Sequence, residues 1–92
     1  MEFMQLEMFV AAVEESTVRR ASTRVFRTQP AVSMAIRKLE NEVGTPLFVR
    51  VNKHRLLTGA GQTLYRYALV LLELRREAMI KVRLCTTEKR GQ

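Results

Sequence analysis

The stretch TVRRASTRVFRTQPAVSMAIRKLENEVG, Thr17 to Gly44, carries six Arg or Lys and only two carboxylates, and apolar residues recur through it at helical spacing. Ser16 and Thr17 offer an N-cap, and Val18, Ala21 and Val25 repeat at i, i+3 and i+7. This predicts a short helix with Arg19, Arg20 and Arg24 on its outer face. Thr28 is the next capping residue, and Pro30 sits in a first turn, where its missing N–H costs nothing. Val32, Ala35, Ile36, Leu39 and Val43 then form the buried row of a further helix, which Gly44 ends and Pro46 keeps ended. Only Phe26 and Arg27 separate Val25 from Thr28, so the two helices must cross steeply as a helix-turn-helix pair.

That crossing leaves Gln29, Ser33, Met34, Arg37, Lys38 and Asn41 on the outward face of the second helix of the pair. Such a face suits a DNA major groove. Gln can bond adenine bidentately, Arg and Lys can bond guanine, and small residues such as Ala31 and Ser33 allow close approach to thymine methyls. A merely solvated helix face is the alternative. The surroundings favour DNA, because Arg19, Arg20, Arg24 and Arg27 lie where the first helix of such a pair crosses the phosphate backbone. A second basic cluster follows in Arg50, Lys53, His54 and Arg55.

That cluster sits inside LFVRVNKHRLL, residues 47–57. Phe48, Val49 and Val51, then Asn52 and Lys53, then Leu56 and Leu57 read as two short strands joined by a tight turn, a small wing. Its basic side chains would reach phosphates or a flanking minor groove. A single imidazole makes no metal site, so His54 is either an exposed histidine or a further contact.

Upstream, Leu6, Phe9, Val10 and Val13 mark a first amphipathic helix, with Phe3 one turn earlier and Glu7, Glu14 and Glu15 off the stripe. Downstream, Thr58 caps a long helix that no Pro or Gly interrupts between Gly61 and Gly91. Leu64, Ala68, Leu71, Arg75, Ala78 and Val82 hold nearly heptad spacing along it, flanked by Leu72 and Met79. This set is the expected homodimer interface; folding back on its own domain is the alternative. The expected divisions are 1–58 for the winged helix-turn-helix, 59–84 for the linker and dimerisation helix, and 85–92 for a frayed tail.

In 92 residues the net charge is +7, and its distribution matters more than its sum. Residues 1–18 hold four Glu and no Lys or Arg; residues 19–55 hold nine basic and two acidic residues. An anionic partner is implied, nucleic acid before an acidic membrane surface. All nine acids are Glu, and there is one His and one Cys, Cys85. A Ser-His-Asp triad, a Cys-His pair with its orienting group or a multi-ligand metal site therefore lacks its parts, and neither an enzyme nor a cofactor is expected. The opening MEFMQLEM has neither the basic start nor the apolar run of a signal peptide, and Ala68–Leu72 is broken at Glu73, far short of a bilayer span. With a lone Cys, a soluble cytoplasmic protein is expected. A protein-interaction module and a nonspecific nucleic-acid binder remain the rival readings.

The combination TQPAVS, I..LE.E.G, LF.R and LT.AG, within RRASTRVFRTQPAVSMAIRKLENEVGTPLFVRVNKHRLLTGAG, resembles the N-terminal DNA-binding domain of LysR-type bacterial transcriptional regulators over about residues 3–84. The resemblance implies a mainly α fold, a winged helix-turn-helix with a three-helix core, a two-stranded wing and a long last helix that pairs two subunits; such pairing sets two recognition helices under a two-fold axis and predicts an inverted-repeat DNA site. It also implies a small-molecule effector acting through a separate domain that is not among these residues. Carried over by position, Thr28, Gln29, Pro30, Ala31, Ser33 and Met34 begin the recognition helix, with Arg37 and Lys38 farther along and Arg50 and Lys53 in the wing. Two positions depart from the family pattern: Met34 stands where Arg is common, and Arg27 where an apolar residue is usual. Met34 would give only apolar contact, and Arg27 is expected to swing toward phosphate.

Overall fold

The computed structural model describes residues 1–90, with side chains through Cys85. Along the described residues the elements are α1 (Phe3–Glu14), α2 (Val18–Arg24), α3 (Gln29–Val43), β1 (Phe48–Val51), β2 (His54–Leu57) and α4 (Gly59–Arg90). The fold is mainly α, a three-helix core carrying an antiparallel two-stranded wing and a protruding last helix.

The expected caps close the helices. Thr17 Oγ1 accepts the Arg20 N–H at 3.1 Å and Thr28 Oγ1 accepts the Ala31 N–H at 3.2 Å. Thr58 Oγ1 accepts the Gly61 N–H at 3.0 Å and donates to the Pro46 carbonyl at 2.7 Å, so one hydroxyl starts α4 and fastens it to the loop after α3. Gly44 ends α3 at φ +77°, the left-handed conformation in which a Cβ would be strained.

The turn between α2 and α3 is a Schellman motif. Arg27 N–H donates to the Ser22 carbonyl at 2.9 Å and Phe26 N–H to the Thr23 carbonyl at 3.2 Å. The left-handed position such a motif requires is filled by Phe26, at φ +58°, where glycine is usual. In the wing, Val51 pairs with His54 across the two-residue turn Asn52–Lys53. Both turn residues have positive φ, +50° and +69°, as in a type I′ turn, whose twist matches that of the strands it joins.

The core lies around α1. Leu6, Phe9 and Val10 pack with Leu39, Leu47 and Ala68, while Met8, Ala11 and Ala12 pack with Ala21, Val32 and Ala35. Met8, Ala11 and Ala12 lie outside the stripe read from the sequence because α1 is covered on two sides, by α2 and α3 and by α4. Phe9 is wholly buried, worth about 1.5–3 kcal/mol. Its ring meets Phe48 edge-on at 5.7 Å, joining the wing to the core. Val43 was expected in the buried row of α3 but is 40% exposed in that helix's last turn.

The α4 face differs from expectation. Ala68 is fully buried, Leu64 and Leu72 pack partly buried against the same core, and Arg75 reaches Glu7 at 4.0 Å and the Phe3 ring at 5.2 Å. Four residues of the expected dimer stripe therefore serve the domain's own packing. Leu71, Ala78, Met79 and Val82 are exposed, and so are Tyr67, Val70 and Leu74. The helix runs to Arg90 rather than closing at 84, since no Gly or Pro intervenes; Gly91 and Gln92, the end of the expected tail, lie outside the described residues.

Candidate nucleic-acid interface

Because Val32, Ala35 and Leu39 are buried, the opposite side of α3 faces solvent. Gln29, Pro30, Ser33, Met34, Arg37, Lys38 and Asn41 are all exposed there, and Ala31 is half-buried at the edge. Thr28 spends its hydroxyl on the cap. Met34, half exposed, adds an apolar spot between Pro30 and Arg37.

The wing stands beside this face. Glu40, one turn beyond Ile36, accepts the Leu47 N–H at 2.8 Å and the Phe48 N–H at 3.4 Å, so α3 itself holds the start of β1. A groove of about 250 Å³ opens between them, lined by Ser33 and Arg37 of α3, Val49 and Arg50 of β1, Arg55 of β2 and Val18 at the start of α2. Glu15, Thr17, Arg19, Arg20, Thr23 and Arg24 line a second depression. Polar side chains of α3, Arg50 of β1 and the basic start of α2 therefore line these concavities, and Lys53 and His54 are exposed at the wing tip.

Three arginines counted as phosphate contacts also have partners within the domain. Arg24 bridges Glu14 at 2.7 Å and Glu15 at 3.2 Å, tying α2 to the end of α1; the hydrogen bond to Glu14 pushes its pKa above the ordinary value. Arg27 is exposed, and its Nη2 lies 3.2 Å from Met4 Sδ on α1. Arg55 points inward. Its guanidinium lies over the Phe48 ring at 4.8 Å, and Nη2 donates to the carbonyls of Ala12 at 2.5 Å and Glu15 at 3.5 Å. Burial, and then the charge of Arg50 across the hairpin, lower its pKa from the ordinary value.

Sequence reasoning missed the role of Glu40, for which no local signal exists, because its partners are seven and eight residues away. The inward turn of Arg55 was legible in principle. Side chains alternate along a strand, and Leu57, two residues on, faces the core.

Among the described residues no group of three or more His, Cys or Glu could hold a metal ion, and no helix is long and apolar enough to cross a membrane. A recognition helix, a wing and a basic flank define a winged helix-turn-helix protein. The sequence profile of bacterial regulatory helix-turn-helix proteins of the lysR family matches residues 3–62, and the chain belongs to that family. It is 38% identical over 90 residues to the Hca operon transcriptional activator HcaR of Escherichia coli K12, covering 98% of this chain and 30% of HcaR. With the transcriptional regulator BudR of Klebsiella aerogenes it shares 41% over 83 residues, 90% of this chain and 58% of BudR. Its fold superposes on the crystal structure of the CbnR_DBD–DNA complex with a TM-score of 0.86 at 30% identity, covering 94% of this chain and 99% of that one. The chain thus spans only part of the regulators it matches.

Proposed function

We propose that this chain is the DNA-binding part of a LysR-type transcriptional regulator that reads an inverted-repeat operator as a dimer. The observation that carries the reading is the outward face of α3, polar and basic from Gln29 to Asn41, opening onto the same groove as Arg50 of the wing. Gln29, Ser33, Met34 and Arg37 read base edges, with Pro30 and Ala31 allowing the helix end to approach closely. Arg19, Arg20, Lys38, Arg50 and Lys53 supply salt-sensitive attraction to phosphates, and His54 adds a wing-tip contact.

Two copies pair through α4. Tyr67, Leu71, Leu74 and Ala78 follow one another at 4-3-4 spacing and are exposed, an apolar stripe beside the one that faces the core. A two-fold axis there sets two recognition helices on half-sites one or more helical turns apart. The reading includes no catalysis and no cofactor. It places the protein in the cytoplasm, with any small-molecule effector acting through a domain outside these residues.

Selection of bound duplexes from a random pool tests the reading: a recovered dyad supports it, whereas no enrichment counts against sequence readout. The rival protein-interaction module is separated by titrating duplex over a salt series, since only a nucleic-acid binder gives a steep log–log slope.

A further inference from the structure

Arg55 occupies a position that local physics would give to an apolar residue. It shares the inner face of β2 with Leu57, and its Nη1 is buried with no hydrogen-bond acceptor among the described residues. Arg55 is half-buried, and replacing an inward charge by a well-packed apolar side chain of similar size is often neutral or stabilising, so stability alone does not account for it. What it does is specific: Nη2 reaches the last-turn carbonyl of Ala12 and the carbonyl of Glu15, while the guanidinium plane lies over Phe48. Helix α1 has no basic residue of its own in its last turn, and its C-cap Glu15 is extended rather than left-handed. Arg55 thus caps α1 from forty residues away and pins the second strand of the wing to the end of that helix.

We propose that Arg55 is a positioning residue for DNA binding, one that never touches DNA but sets where the wing tip, with Lys53 and His54, meets the flank of the site. This rests on the DNA-binding reading above. Glu40 holds β1 to α3 and Arg55 holds β2 to the end of α1, so each strand of the hairpin is tied to a core helix. Releasing the second tie leaves the recognition helix in place and frees the wing.

The test uses R55L alone and combined with K53A, with hydroxyl-radical and methylation footprints on a selected duplex. R55L is expected to keep its helical circular dichroism and a Tm equal to or above that of the unaltered protein. It should lose protection at the outer flank of each half-site while keeping the major-groove protection given by α3. Its affinity should fall about fivefold to tenfold, the size of one or two lost backbone contacts, and should fall no further in the K53A background. Unchanged flank protection overturns the proposal. So do additive losses in the double variant, which would mean that Arg55 contacts phosphate itself. Should R55L not fold, guanidinium NMR of the unaltered protein decides: hindered rotation of Arg55 persisting in the DNA complex supports the proposal, and its release on adding duplex overturns it. Failure of the unaltered protein to bind any duplex would instead refute the DNA-binding reading.

Discussion

Glu40 accepts the backbone N–H of Leu47, seven residues later, at 2.8 Å, and the same oxygen lies 3.4 Å from the Phe48 N–H. One carboxylate on the inner flank of the recognition helix therefore starts the wing. Leu47 is 1% exposed, so water has little access to its amide. Glu40→Ala leaves that donor without its acceptor and should cost about 1–3 kcal/mol, measured by urea unfolding. A cost below about 0.5 kcal/mol, the ordinary value for a surface substitution, would show that Glu40 does not hold the wing.

Tyr65 on α4 donates to Glu14 at 2.5 Å, and Arg24 approaches the same carboxylate at 2.7 Å, so three helices meet at one charge. The Tyr65 hydrogen bond, opposed by partial burial and aided by Arg24, lowers the Glu14 pKa, and the same bond raises that of Tyr65. A depressed carboxylate pKa contributes stability above its unfolded value and loses it as pH falls through the folded one. A raised phenol pKa contributes stability below its unfolded value and loses it as pH rises through the folded one. The pair thus stabilises between about pH 4 and pH 10. Tyr65→Phe should flatten the Tm profile at both ends of that window; a profile parallel to that of the unaltered protein would contradict the assignment.

The two sides of α4 make opposite predictions. Ala68 is fully buried against α1, and Leu74, about two turns on and turned away, is 56% exposed. Leu74→Glu should give folded monomers by sedimentation velocity, with the circular dichroism of the unaltered chain. Ala68→Glu would bury a charge without a partner and should unfold the domain. A Leu74→Glu protein that stays dimeric with unchanged affinity would move the interface elsewhere.

How much of this was legible in the sequence depended on whether the signal was local. Caps at Thr17, Thr28 and Thr58, the stop at Gly44 and the two-stranded wing are chemistry within a few residues of where they act, and each stands where it was read. Burial was harder to read, because periodicity shows that a helix has an apolar face without showing how many neighbours cover it. Helix α1 is covered twice, so Met8 and Ala12 are buried beyond its stripe. Helix α4 has two apolar faces about a quarter-turn or more apart, and the near-heptad row from Leu64 to Arg75 mixes the face that packs on α1 with the one that does not. The charges of Arg24 and Arg55 suggested phosphate, but a sequence does not show that Glu14, Glu15 and the Ala12 carbonyl reach them first. Phe26 in a left-handed turn gave no signal, since the usual glycine is absent.

The central claim is that the face of α3 from Gln29 to Arg37 reads bases while the wing tip holds the backbone. It is tested most directly by comparing Gln29→Ala and Lys53→Ala on a selected duplex and on random duplex over a salt series. Gln29→Ala should cost about 1–3 kcal/mol on the selected site and little on random DNA, with the salt slope unchanged. Lys53→Ala should weaken both alike and reduce the slope by about one. Equal losses for Gln29→Ala on both duplexes would contradict base reading by this helix.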